Sequence, residues 1–198
     1  MPTLVLVDLH DDRFSGAKLD LYRQDYLDAL EKCRAALAYA RNNDFPVAFV
    51  RHTSPPASFM ANHAYPSWIR DIRPQRSDMI FERSMPSCFG STEFAQMARH
   101  SRALVLAGLF GETSCLSTLV EGYGRGHHFT YLSDASVSRG HGNISADEMH
   151  RGVVGIASFY GEISSTSAWI ERTSRKTGAI GLSVRPDQQA ANRPQIPS

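Results

Sequence analysis

The chain has 198 residues, with 21 Lys+Arg against 20 Asp+Glu, 42% hydrophobic residues and three cysteines; that is one ordinary globular domain with a single core. A net charge of +1, with acids and bases interspersed, excludes the basic footprint of a protein that grips nucleic acid or an anionic membrane. The longest apolar run, around residues 103–110, is far short of the roughly 20 residues that span a bilayer. The N-terminus lacks the basic region of a signal peptide, and three cysteines in no finger or CxxC spacing point to free thiols in a reducing cytoplasm.

Strands are predicted at 3–7, 47–51, 79–82, 103–109, 128–132 and 162–165. Helical patterns lie between them, the order expected of an α/β fold with a largely parallel six-stranded sheet. The continuous apolar runs LVLV and ALVLAGL read as strands buried on both faces. Leu27, Leu30, Leu37 and Ala40 recur at helical spacing over 24–42, and Asn42-Asn43 ends that helix. Ser91 caps a helix through His100, a third helix begins near Thr113 and ends in EGYGRG (121–126), and Ser145-Ala-Asp-Glu148 is a capping box for a helix to about Ser158.

Residues 52–77, with four prolines and the anchors Tyr65 and Trp68, form a connection too long for a simple strand-to-helix loop and read as a lid or a binding wall. The domain is expected over 1–175. The stretch 176–198, which contains Gln, Asn and Pro and few large apolar groups, reads as a flexible tail or an arm that packs on a second copy.

Three places carry chemistry. Asp8 closes the first strand, where parallel sheets place their ligand crevice, though a loop aspartate also commonly caps a backbone N–H. GLFGETSC (108–115) runs from a buried strand into a helix start, where free N–H groups can stabilise an anion or activate a thiol; the plain alternative is a Thr113 or Ser114 cap with Cys115 buried. Arg83 follows the third strand, so its cation reaches the same edge unless it is merely solvated.

Read together, three segments resemble the isochorismatase-like superfamily, the cysteine hydrolases. LVLVDLHDDRF (4–14) is similar to its first strand ending in Asp-x-Gln-Asn-Asp-Phe. RSMPSCFGST (83–92) is similar to Lys-x-x-x-Ser-Ala-Phe-x-x-Thr, and AGLFGETSC with LSDAS (107–115, 132–136) to the glycine-to-cysteine turn and the strand ending in Asp-Ala. NDFPVAFVRHTSP (43–55) and residues 147–166 extend the likeness to about 3–173.

The resemblance implies a Rossmann-like three-layer α/β/α sandwich and hydrolysis of a small metabolite, without cofactor, in a homo-oligomer such as a dimer or tetramer. It implies an Asp-Lys-Cys triad in which the aspartate takes the thiol proton, the thiolate attacks an amide, and two backbone N–H groups hold the oxyanion. A cis peptide would fall at Phe110–Gly111. Site residues carried over are Asp8, Arg83, Ser114 and Cys115 for catalysis, with His10, Phe14, Phe110, Gly111 and Ser114 around the substrate or oxyanion.

Two departures stand out. Arg83 replaces the lysine, so it would hold a substrate carboxylate or developing negative charge. The nucleophile position, six residues after Gly108 and twenty before Asp134, is Ser114 by both counts, and Cys115 is one residue late. That register is similar to the isochorismatase branch proper, where glycine stands at this position and the aspartate is a general acid in vinyl ether cleavage. Ser114 is then a hydrogen-bond donor to substrate, a nucleophile, or an engineered replacement of cysteine. The donor role is preferred, because a hydroxyl is far harder to ionise than a thiol. A one-residue shift restoring Cys115, amide hydrolysis, and a silent metabolite-binding homologue stay open. Some amide-cleaving relatives hold a metal through Asp-x-His and a later His, but His52 has no such aspartate before it and His63 lacks that partner, so no metal is expected; His127 and His128 have no partner spacing.

Overall fold

The two continuous apolar runs become the two central strands. In this computed structural model, which describes residues 1–10, 24–53, 67–69 and 71–181, β1 (Thr3–Val7) and β4 (Leu104–Gly108) are buried at every position. They pair with each other in parallel, Val7 beside Gly108. Outward from this pair lie β2 (Val47–His52) and β3 (Met79–Arg83) on one side, and β5 (Phe129–Ser136) and β6 (Glu162–Ser164) on the other, giving the order β3-β2-β1-β4-β5-β6. All pairings are parallel. Strand order reverses between β1 and β4, so the crevice of such a sheet opens at their C-terminal ends.

Helices cover both faces, as the α/β/α expectation requires. On one face α1 (Gln24–Asn42) buries Tyr26, Ala29, Leu30, Cys33, Ala36, Leu37 and Ala40, a stripe at three- and four-residue spacing. Leu27, expected in that stripe, is instead exposed, because it lies one helical step off the buried line. Asn43 ends the helix by donating its side-chain amide to the Tyr39 carbonyl at 2.9 Å. Beside α1 runs α5 (Thr166–Gly181), unanticipated from the sequence, whose Trp169 meets Tyr39 edge-on at 5.3 Å. It continues through the expected start of the tail at Lys176; residues 182–198 lie outside the described part.

On the other face α2 (Thr92–His100), α3 (Leu116–Gly124) and α4 (Ala146–Ala157) surround Phe89, Phe94, Leu119 and Val153. Ser91 caps α2 and the Ser145/Glu148 capping box opens α4, as their sequences predict. Strand β5 is longer than predicted, carrying on to Ser136 past a register shift against β4 between Leu106 and Gly108. The extension places Asp134 where its Oδ1 accepts from the Thr166 backbone N–H at 2.7 Å and its hydroxyl at 2.8 Å. The aspartate of the LSDAS segment thus caps α5.

Candidate active site

Three chain segments that end at the C-terminal edge of the sheet bring Asp8, Arg83 and Ser114 into mutual contact. Asp8 leaves β1 with φ at +55°, which folds its carboxylate back over the strand ends. Its Oδ1 accepts from the His52 backbone N–H at 2.9 Å. Its Oδ2 accepts from Arg83 Nη2 at 2.5 Å and from the Ser114 hydroxyl at 2.6 Å. Three donors therefore converge on an acceptor-only group, the arrangement that suits a carboxylate.

Arg83 starts from β3, two strands from β1 and so about 10 Å away across the sheet. Only a long side chain bridges that gap, and the guanidinium ends buried beside Asp8. Nη1 donates to the Met85 carbonyl at 2.5 Å, and Nη2 donates to Ser114 Oγ at 2.8 Å as well as to Asp8. Nε is buried without a partner. It lies on the same edge of the planar group as Nη2, so its N–H points alongside one of those two bonds.

Between β4 and α3 the chain makes a π-type turn, Gly111–Cys115. Phe110, at φ +59°, redirects the backbone, and its carbonyl accepts from the Thr113, Ser114 and Cys115 N–H groups at 3.1, 2.8 and 3.4 Å. The Ser114 carbonyl is held by the Thr118 hydroxyl at 2.7 Å, and Thr118 Oγ1 in turn accepts from the Cys88 N–H at 2.9 Å. Gly111 has no room for a side chain, since a Cβ there would come within 2.8 Å of Ser138 Oγ and 3.0 Å of Tyr131 OH.

The turn places the Ser114 and Cys115 side chains in different surroundings. Successive residues of a helical turn face about 100° apart, so if Ser114 points at Asp8 and Arg83, Cys115 cannot. Cys115 is fully buried in the core, its Sγ 3.8 Å from the Leu109 carbonyl. Burial pushes this thiol well above its ordinary value, and raises those of Cys33 and Cys88 to about 12. Below those values the thiols stay protonated and unreactive. Iodoacetamide at pH 8 is therefore expected to leave the native protein unlabelled and to alkylate all three cysteines in urea, as read by intact mass. Rapid native labelling at Cys115 would contradict the buried placement.

Two expectations for the turn are corrected. The Phe110–Gly111 bond is trans, no cis peptide occurring among the described residues; the left-handed Phe110 performs the reversal instead. The Gly111 and Ser114 N–H groups are not free to hold an anion, because they are donated to the Val137 carbonyl at 2.9 Å and the Phe110 carbonyl at 2.8 Å. Nor does the Nη edge of Arg83 await a substrate carboxylate, being occupied by Asp8, Ser114 and Met85.

His10, two residues beyond Asp8, meets Trp68 edge-on at 6.4 Å and is joined to it by an isolated antiparallel bridge. Trp68 thus acts as the expected anchor, and it also carries Arg51 over its ring. Phe14, His63 and Tyr65 lie outside the described residues. His52 contributes its backbone N–H to Asp8. Among the described residues no group of three His, Cys, Asp or Glu side chains could hold a metal ion, and no helix is long and apolar enough to cross a membrane. The sequence reading missed Thr118 and the ion pair of Glu112 with Arg139 beside the turn, whose local signal is their charge.

A family model for the isochorismatase domain matches residues 2–166. The chain belongs to the isochorismatase family. Solved structures share the fold. An isochorismatase from Pseudomonas putida aligns at TM-score 0.72 and 20% identity, over 84% of this chain and 88% of that one. A cysteine hydrolase from Pseudomonas syringae pv. phaseolicola gives 0.73 and 22%, over 87% and 92%. An N-carbamoylsarcosine amidase from Thermoplasma acidophilum gives 0.64 and 19%, over 83% and 96%. No curated protein matches the sequence. This isochorismatase-family hydrolase therefore has its relatives' fold, with arginine and serine at two positions of the triad that its sequence resembles.

Proposed function

We propose that this hydrolase cleaves an acyl C–N or C–O bond of a small metabolite, with Asp8 as proton acceptor and Ser114 as the attacking hydroxyl. The observation that supports this reading is the 2.6 Å bond from Ser114 Oγ to Asp8 Oδ2, made while Arg83 Nη2 donates to Ser114 Oγ at 2.8 Å. Nucleophile and base are in contact, and a fixed cation offsets the charge that grows on Oγ as its proton leaves.

In the acylation step Oγ bonds to the substrate carbonyl carbon and its proton passes to Asp8. The carbonyl electron pair moves onto oxygen and returns as the C–N or C–O bond breaks, and the leaving group takes the proton from Asp8. Water then releases the acyl group from Ser114 by the same sequence. Since the Gly111 and Ser114 N–H groups are engaged, the unpartnered Nε–H of Arg83 is the donor assigned to the carbonyl oxygen. The amidase among the structural neighbours acts on a C–N bond, which is consistent with this reaction type.

The engaged N–H groups also favour a second reading, in which no tetrahedral intermediate forms and Ser114 only donates a hydrogen bond while Asp8 manages the proton. Intact-mass measurement during turnover of a panel of small amides, carbamoyl compounds and enol ethers separates the two. An acyl adduct on Ser114, absent in Ser114→Ala together with a loss of roughly 10³-fold or more in kcat, is expected. Turnover of an enol ether with no adduct, and a loss near 10-fold in Ser114→Ala, would replace the first reading with the second.

A further inference from the structure

A hydrolase of small metabolites needs a group that orients its substrate, and Arg83, the cation at the centre of the site, is already engaged. Its Nη groups hold Asp8, Ser114 and Met85. A second guanidinium is fastened to the same turn. Arg139, just beyond β5, donates Nε–H to Glu112 Oε1 at 2.8 Å and its backbone N–H to Glu112 Oε2 at 3.3 Å. Its guanidinium carbon lies 4.5 Å from the centroid of the Phe110 ring. Phe110 and Glu112 flank Gly111, and the Phe110 carbonyl receives the Ser114 N–H, so Arg139 is fastened to the backbone that presents Ser114.

Among the described residues the fastening uses the Nε edge of the guanidinium. Glu112 is largely buried, whereas the Arg139 side chain remains 39% exposed, and its Nη groups have no described protein partner. A stacked, ion-paired guanidinium has lost most of its rotamer freedom before any ligand arrives, so a planar anion meets a prearranged pair of donors. A lysine could not present that geometry.

We infer that Arg139 is the substrate-recognition residue of this site, and that the substrate carries a carboxylate or similarly planar anionic group, which Arg139 holds beside the turn while the scissile bond faces Ser114. The inference rests on the reaction proposed above for its placement of the scissile bond. It takes from Arg83 the carboxylate-binding role suggested by the sequence and leaves Arg83 to serve Asp8 and Ser114.

Equilibrium binding tests it without requiring turnover. Benzoate and benzamide are probes of matched shape that differ in charge, and their dissociation constants are read by NMR titration of the intact protein. Benzoate is expected to bind about tenfold or more tightly than benzamide, and Arg139→Gln to abolish that preference while leaving benzamide unchanged. Arg139→Lys, which keeps the charge but loses the fork and the stacking, is expected to weaken benzoate several-fold, and it decides the matter if the glutamine variant fails to fold. Equal binding of the two probes to the unaltered protein, or a preference that survives both substitutions, overturns the assignment. Turnover by an Asp8→Asn variant bears on the proposed reaction alone, so the two claims fail separately.

Discussion

Asp8→Asn is expected to fold and to lose turnover by roughly 10³-fold or more, within the range that a positioned acid or base supplies. Asparagine preserves the size of the side chain and one carbonyl acceptor for the three donors that converge there, the His52 N–H, Arg83 Nη2 and the Ser114 hydroxyl. It removes the capacity to take a proton, and it turns an NH₂ donor toward a partner that is itself a donor. The change also strips the buried guanidinium of its counter-charge, which costs about 3 kcal/mol or more when one member of a buried pair is lost. For a chain of this length that corresponds to a fall of roughly 6–12 °C in Tm. A purely structural role for Asp8 would reduce the folded fraction while leaving kcat per folded molecule intact. The assay therefore belongs well below the new Tm, with active protein counted by circular dichroism or NMR. Turnover above a tenth of the unaltered enzyme, per folded molecule, would remove Asp8 from the reaction.

What the sequence reveals and what it hides follow from the range of the interactions involved. Strand β1, helix α1 and the capping-box start of α4 are local features, encoded by apolar runs, periodicity and a side chain three residues from its partner. Between Ser114 and Cys115 the sequence alone leaves the choice open; the spacing implied by the family resemblance points to Ser114, and in the structure the Ser114 hydroxyl bonds Asp8 while Cys115 lies in the core. Helix α5 is harder to read, since Asp134, which satisfies the first N–H of the helix, stands 32 residues earlier in the chain. The engagement of the Gly111 N–H is hidden for a similar reason: the Val137 carbonyl that accepts from it lies just past the end of a strand whose length the pattern understates. Arg139 and Glu112 are 27 residues apart, and as isolated charges each reads as a solvated surface residue. Arg83 illustrates the limit most plainly. Its position was readable, but how its donors are divided among Asp8, Ser114 and Met85 depends on a span across two strands that no spacing rule contains.

That division makes Arg83→Met the substitution with the largest expected effect on stability. Methionine fills much of the same space, so the loss is electrostatic: Asp8, 2% exposed, is left as a buried carboxylate without its cation. Removing one partner of such a pair costs about 3–5 kcal/mol, whereas removing both can be close to neutral. Urea denaturation is expected to show that cost in Arg83→Met, a comparable or smaller one in Asp8→Asn, and a double variant less damaged than the sum of the two. The shortfall measures the coupling, expected at about 2 kcal/mol or more for groups in direct contact in a shared network. Additive effects would mean that the pair contributes little, and that the burial of both groups is sustained by the surrounding backbone contacts. Arg83→Lys separates charge from shape. An ammonium has three donors for the three acceptors that Arg83 now serves, the Met85 carbonyl, Asp8 Oδ2 and Ser114 Oγ. Stability is therefore expected to stay within about 1 kcal/mol of the unaltered protein. Lysine has no counterpart of the Nε–H assigned to the substrate carbonyl, so kcat should fall while the fold holds. A stable Arg83→Lys variant with undiminished kcat would show that the oxyanion draws its donor from elsewhere in the turn.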